Sequence, residues 1–433
     1  MGRFFAILKT KFINSKEAKN AGWLISGRVV QMILSFFVSV LTARYLGPGN
    51  YGLINYAGAF VAFFTSLCTL GINYVIIKDF VDNPEEQGLT IGTSLILRAV
   101  SSLLSAILIV VIVSVVDHGE QLTIYVALLC SVALIFQVFD TFNYWFQYRY
   151  QSRVTAIATL IAYFATSVYR IILLVLDKNV QWFAFATSVD YIVLAGILFY
   201  VYKKSNGPTL SFSFQKGKQL LRKSYHYILS GMMVAIYAQT DKFMLKQMLD
   251  ETTVGYYSLA SSLNTTWVFV LTAIIDSLYP TIIQLHDKDY KQFERKNRQL
   301  YAIVIYVSIF VAVCFMVFGK FIINVLYGEA YLPAIEPLKI VTWYTIFSYL
   351  GVARNAWVVC ENQQKYLKYM YMAAAIINVG LNFAFIPIWG ASGAATASLI
   401  TQICTCMILP VFIKTMRPNV KLMIEALIFK GVK

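Results

Sequence analysis

The chain has 433 residues, of which 59% are hydrophobic and only 13% charged, with a net charge of +15. A soluble protein carries roughly 25% charged residues, so this composition excludes a soluble domain and indicates side chains that meet lipid or other apolar helices. The positive charge would suit nucleic acid in a soluble protein, but here the basic residues gather in alternate loops between apolar stretches, which is the signature of membrane topology.

Met1–Asn20 is basic and amphipathic, with Phe4, Phe5, Leu8 and Phe12 among Arg3, Lys9, Lys11 and Lys16. No small-residue cleavage site follows it, and it reads as a helix lying on the inner membrane surface. A membrane span needs roughly 20 apolar residues, and about twelve such stretches follow, near 21–44, 51–77, 90–115, 121–146, 153–176, 180–202, 224–247, 254–284, 299–319, 336–360, 367–388 and 391–414. Gly47-Pro48-Gly49, Asn83-Pro84, Asn206-Gly207-Pro208, Gly328 and Pro333 punctuate the gaps. With the N-terminus placed in the cytoplasm, about 26 Lys and Arg fall on the cytoplasmic side and about five opposite, so both termini are expected there.

The expected architecture is all-α and integral to the membrane, with two lobes of six helices. The first lobe is 1–202, the basic linker 203–223, and the second lobe with its cytoplasmic tail 224–433. Short matches recur in the same order in both halves. Ser26-Gly27 pairs with Ser230-Gly231, and Gly52 to Ala57 with Gly255 to Ala260. Asn143-Tyr144-Trp145 pairs with Asn355-Ala356-Trp357, and Gln151 with Gln363. Six spans per half give the halves the same orientation, a parallel repeat about an axis along the membrane normal.

Charges inside spans cost several kcal/mol on insertion scales, roughly 2.5–3.5 at the centre, and mark functional positions. In the first span Arg28, Gln31, Ser35, Ser39 and Thr42 recur at steps of three and four and make one polar stripe, which lipid would not accept. Arg28, Arg98 and Arg354 lie in the cytoplasmic half of the membrane and, grouped in one cavity with Gln31 and Ser35, would attract an anionic head group. A guanidinium suits phosphate because its planar fork donates two bonds. Asp140, Asp241 and Asp276 are the candidates for ion coupling; the seventh span sets Tyr237 and Asp241 on one face, and the eleventh sets Asn378 and Asn382 one turn apart.

Several classes are set aside. The six cysteines form no CxxC and lie away from the three isolated histidines, so no metal site or disulfide framework is expected. No GxxxxGK[ST] loop or Ser-His-Asp set is evident, so the protein is read as a transporter without a cofactor and not as an enzyme.

Asn20-Ala21-Gly22-Trp23-Leu24, Thr42-Ala43-Arg44-Tyr45-Leu46-Gly47-Pro48-Gly49-Asn50-Tyr51-Gly52, Tyr56-Ala57 and Leu70-Gly71 resemble the bacterial polysaccharide biosynthesis proteins of the Wzx type, the lipid-linked oligosaccharide flippases. These are similar in layout to multidrug and toxin extruders and the lipid II flippase. The resemblance implies alternating access of two lobes and movement of an undecaprenyl-pyrophosphate-linked glycan from inner to outer leaflet of the cytoplasmic membrane. Membrane lipid is the other implied partner, with polysaccharide polymerase and chain-length proteins alongside. A cation extruder would want a net acidic cavity. A glycan polymerase would want a sizeable outer loop, and the longest here is only about 320–335.

Overall fold

The computed structural model describes residues 16–431, with side chains from Gln31 onward except that of Tyr74. Helices follow one another along the whole described chain. In order they are α1 (Lys16–Cys68), α2 (Ile76–Asp82), α3 (Gln87–Val116), α4 (Gln121–Gln137), α5 (Thr141–Tyr148), α6 (Ser152–Val175) and α7 (Val180–Lys204). They continue as α8 (Phe214–Met248), α9 (Glu251–Thr265), α10 (Phe269–Lys288), α11 (Tyr290–Tyr327), α12 (Ile335–Ala353), α13 (Asn355–Cys360), α14 (Leu367–Ile403), α15 (Leu409–Phe412) and α16 (Arg417–Leu427).

Among the described residues, eight helical stretches are long and apolar enough to cross a membrane. Two of them, Gln31–Cys68 and Gln364–Phe412, are each a pair of helices joined at a non-helical glycine, Gly47 (φ 70°, ψ 170°) and Gly390 (φ 55°, ψ −130°). Positive φ is a conformation glycine adopts without a Cβ penalty, and Pro48 after Gly47 prevents the first helix from running through. That gives ten spans. The more polar α8 and the α12–α13 pair occupy the two other positions where spans are expected. On α3 the usual soluble pattern is inverted. Ile107 and Val115 are 59% and 70% exposed, while Ser94, Ser102 and Ser105 are buried. A helix in lipid turns its apolar face outward and packs through small polar residues.

The chain divides into two compact units whose borders differ from those expected. One takes the chain up to Tyr45 together with Ala57–Ala235, and the other takes Leu46–Tyr56 and the chain from Ile236 on. The first has its core around Ile72, Phe80, Phe142, Trp145 and Tyr202. The second is built around Phe293, Tyr301, Trp357 and Met423. Local features repeat between them. The buried Trp145 and Trp357 are followed by residues of positive φ, Tyr150 (57°) and Asn362 (54°), and then by Gln151 and Gln363. The backbone N–H groups of these glutamines donate to Phe146 O (2.8 Å) and Val358 O (2.9 Å), which closes both helices in the same way.

The basic segment expected to link the lobes is instead docked on the first unit. Gly88 and Gly92 lie one helical turn apart on α3, and there the strap Pro208–Ser213 comes into backbone contact. A Cβ on Gly88 would lie 2.1 Å from Thr209 O, and one on Gly92 2.3 Å from Ser211 O. Ser211 N donates to Gly88 O (3.3 Å) and Ser213 N to Thr93 Oγ1 (3.1 Å). Beyond the strap, Lys216 Nζ lies 2.8 Å from both Asp79 and Glu86, and the Thr90 hydroxyl donates to Asp79 (2.7 Å).

Burial alone would push the Asp79 carboxyl up, but Lys216, Thr90 and then Lys223 together hold it below its ordinary value. A lowered carboxylate pKa adds stability that is present above the ordinary carboxylate range and lost as pH falls through the depressed value. Asp79→Asn therefore releases the strap, since removing one partner of a buried pair costs about 3–5 kcal/mol, reduced here because Glu86 still holds Lys216. Trypsin cleavage at Lys216–Lys223 should then accelerate by about tenfold or more. An unchanged cleavage rate would mean the pair does not hold the strap.

The expected C-terminal tail also has structure. Helix α16 packs on α11, where Asn419 Nδ2 donates to Tyr301 OH (2.7 Å) and Arg298 pairs with Glu425 (3.0 Å).

Candidate functional site

The polar stripe on α1 is turned inward. Gln31, Ser35 and Ser39 are half-buried and Thr42 is buried, while Ile33, Phe37 and Leu41 on the other side are exposed. The side chain of Arg28 lies outside the described residues.

Arg98 is a buried cation with partners inside its own unit. It is 2% exposed and donates through Nη1 to Thr141 Oγ1 (2.8 Å) and through Nη2 to Gln137 O (3.0 Å). The chain between α4 and α5 tightens into a 3₁₀ turn at Val138–Asp140, and the guanidinium ties that break to α3. A buried cation in lipid needs such carbonyl and hydroxyl partners, and a break in a helix supplies them. Half-buried Asp140 accepts from Asn143 Nδ2 (3.3 Å) and lies within electrostatic reach of Arg98 and Asp190. These side chains form a charge cluster internal to the first unit.

Asp241, on α8, is 6% exposed and is the centre of the second unit's polar core. Its Oδ1 accepts from Asn382 Nδ2 (2.7 Å), and its Oδ2 accepts from Ser398 Oγ (2.6 Å) and from the Tyr257 hydroxyl. Asn382 Nδ2 also reaches Asn378 Oδ1 (3.2 Å), and Asn378 Nδ2 donates to Ser398 Oγ (3.3 Å). Three helices, α8, α9 and α14, thus converge on one carboxylate. One turn further along α14, Gln402 Nε2 donates to the Tyr237 hydroxyl (2.7 Å).

Tyr237 and Gln402 also line a cavity of about 150 Å³ with Arg354. Arg354 is 2% exposed and sits between α12 and α13. It donates through Nη1 to Thr405 O (3.0 Å) in a widened π turn at Cys404–Ile408, and its buried Nε has no hydrogen-bond partner. Arg98, whose buried Nε likewise has no hydrogen-bond partner, belongs to the first unit, and Arg354 to the second, beside the cavity. Asp276 differs from both other carboxylates. It is exposed on α10, along a face that also exposes Thr272 and Gln284.

The i, i+4 pair Asn378/Asn382 and the Tyr237/Asp241 face were visible in the sequence. Their partners Tyr257, Ser398 and Gln402 were not singled out, although Ser398, Gln402 and Thr405 make a polar stripe in an apolar helix. Among the described residues, no group of His, Cys, Asp and Glu is arranged to hold a metal ion.

Residues 18–286 match the family described as polysaccharide biosynthesis protein. A Shigella flexneri protein named "Putative O-antigen transporter" is 18% identical over 416 residues, covering 90% of this chain and 96% of its own length. A solved structure of the lipid II flippase MurJ, inward closed, superposes with a TM-score of 0.71 at 15% identity, covering 94% of this chain and 91% of that one. An inward-facing multidrug resistance MATE family transporter of the MOP superfamily superposes with a TM-score of 0.69 at 13% identity, covering 90% and 95%. At these identities the structural likeness speaks for the fold.

Proposed function

Because this chain belongs to the polysaccharide biosynthesis protein family, we propose that it is a flippase. It moves an undecaprenyl-pyrophosphate-linked oligosaccharide repeat unit from the inner to the outer leaflet of the cytoplasmic membrane, for surface polysaccharide synthesis. The family match carries this reading, and the near full-length likeness to the Shigella protein supports it. Both termini lie in the cytoplasm, in keeping with the loop charges. Transport proceeds by alternating access, with the lipid tail remaining in the bilayer and the glycan crossing in a wet path.

Several side chains suit the task. The inward-turned stripe of Gln31 and Ser35 on α1 offers hydrogen bonds to sugar hydroxyls, with Arg28 at its cytoplasmic end for pyrophosphate. Arg354 offers a second cation. Arg98, held by Thr141 and Gln137, acts through the shape of its unit instead. Asp241 is the coupling carboxylate, because three donors from two other helices converge on it and a proton or a cation arriving there must rearrange them. Polymerase and chain-length proteins take over the product.

Deleting the gene in its host tests the assignment. The lipid-linked repeat unit is expected to accumulate on the cytoplasmic leaflet and to clear when the gene is restored. Accumulation of unpolymerised units on the outer leaflet would instead identify a polymerase. The likeness to a MATE transporter favours a second reading, an ion-coupled extruder of drugs or cations. That reading predicts increased drug sensitivity in the deletion strain with normal surface polysaccharide.

A further inference from the structure

The cavity beside Arg354 combines features that the pyrophosphate of a lipid carrier does not require. Six of its lining residues matter: Arg354, Asn355, Gln402, Tyr237, Tyr371 and Ser348. No carboxylate lines it, so its only formal charge is that of Arg354. A guanidinium with no carboxylate in the cavity wall to balance it suits an anionic group as its partner there. A bare phosphate would be satisfied by cations and backbone amides. Here the wall adds two amides, a serine hydroxyl and two tyrosines to small and apolar residues such as Gly351, Val352 and Ala374. Amides and hydroxyls can both donate to and accept from a polyol, and tyrosine rings offer flat apolar faces for the C–H surface of a pyranose.

Size narrows the occupant. Drug-sized ligands occupy pockets of roughly 300–1,000 Å³. At about 150 Å³ the cavity is nearer the size of one sugar ring than of a chain of them. We propose that the second unit carries a subsite for a single negatively charged sugar, one whose carboxylate or phosphate substituent meets Arg354 while its hydroxyls meet Asn355, Gln402 and Ser348. The inference rests on the flippase reading above and names the class of glycan carried: repeat units containing an acidic sugar.

The test is binding to the purified full-length protein in lipid nanodiscs, read as thermal stabilisation by methyl glucuronoside, methyl glucoside and inorganic phosphate. Methyl glucuronoside is expected to stabilise, methyl glucoside to bind about tenfold or more weakly, and phosphate alone to give a smaller shift than the glucuronoside. Arg354→Gln should abolish the glucuronoside response. Because that change also removes the bond to Thr405, Tyr371→Ala serves as a second variant. Tyr371 is 43% exposed at the edge of the cavity, so its loss should leave the unliganded melting temperature in place and weaken glucuronoside binding several-fold.

Equal responses to glucuronoside and glucoside would overturn the charge selection. A phosphate response as large as that of the glucuronoside would make the cavity a pyrophosphate site and overturn the sugar assignment. No response to any of the three would remove the subsite altogether. Each of these outcomes leaves the flippase reading standing, since the leaflet on which lipid-linked glycan accumulates is measured independently.

Discussion

Asp241→Asn is expected to yield a protein that inserts into the membrane at the normal level and exports surface polysaccharide at least about tenfold more slowly. The substitution nearly preserves shape. Tyr257 and Ser398 reach the carboxylate through hydroxyls, which can rotate to accept from an amide, so the cluster can close again around asparagine. What asparagine cannot do is take up a proton or balance a cation. Asp241→Ala adds a second effect. It leaves the donors of Tyr257, Ser398 and Asn382 unmatched in a buried site, at about 1–3 kcal/mol each. Alanine should therefore lower the melting temperature in detergent as well as export, and asparagine should lower mainly export. Full export by a folded Asp241→Asn protein would remove Asp241 from the coupling role.

The second large effect is on folding. Gly52 and Gly255, matched by the internal repeat, meet at a backbone crossing. A Cβ on Gly52 would lie 1.7 Å from Glu251 O, and one on Gly255 2.1 Å from Pro48 O. Carbonyl oxygens of the main chain cannot swing aside as a side chain can. Inserting atoms into packed interiors typically costs about 1–3 kcal/mol, and with backbone on both sides the upper end or beyond applies. Gly52→Ala and Gly255→Ala should each sharply reduce the yield of folded protein and lower its melting temperature by several degrees. Gly58→Ala and Gly196→Ala are the controls. A Cβ at either meets nothing within 4 Å, and an alanine favours the helix by roughly 0.5–1 kcal/mol. Equal behaviour of the two pairs would refute the crossing as the cause.

Much of the architecture was legible in the order of residues because lipid imposes a simple rule: long apolar runs cross, and glycine and proline interrupt them. Gly47-Pro48 and the repeated tryptophan–glutamine pattern are visible in local sequence, while the positive-φ residue in between is seen only in the structure. The site was less legible because its contacts are long-range. Asp241 is joined to residues 16 to 157 positions away, and only the asparagine pair showed itself through helical spacing. The surroundings of Arg98 were hidden for a related reason. A charge in a span signals that it has a partner, but sequence alone does not distinguish a wet cavity from a carbonyl released by a helix break. The docking of the strap was not legible because its polar, proline-containing sequence has the composition of a linker, while its anchor, Asp79, lies in a distant acidic turn.

The assignment of Leu46–Tyr56 to the second unit has a consequence for biogenesis. The segment leaves the ribosome roughly 200 residues before Glu251 and Gly255, which at 5–20 residues per second is a delay of about 10–40 s. During that interval the nascent chain holds a tightly built glycine-proline corner with nothing against it, so the amino-terminal half cannot mature as it is made. Completion of the amino-terminal half therefore waits for the first helices of the second half, and is set by the order of synthesis as much as by sequence.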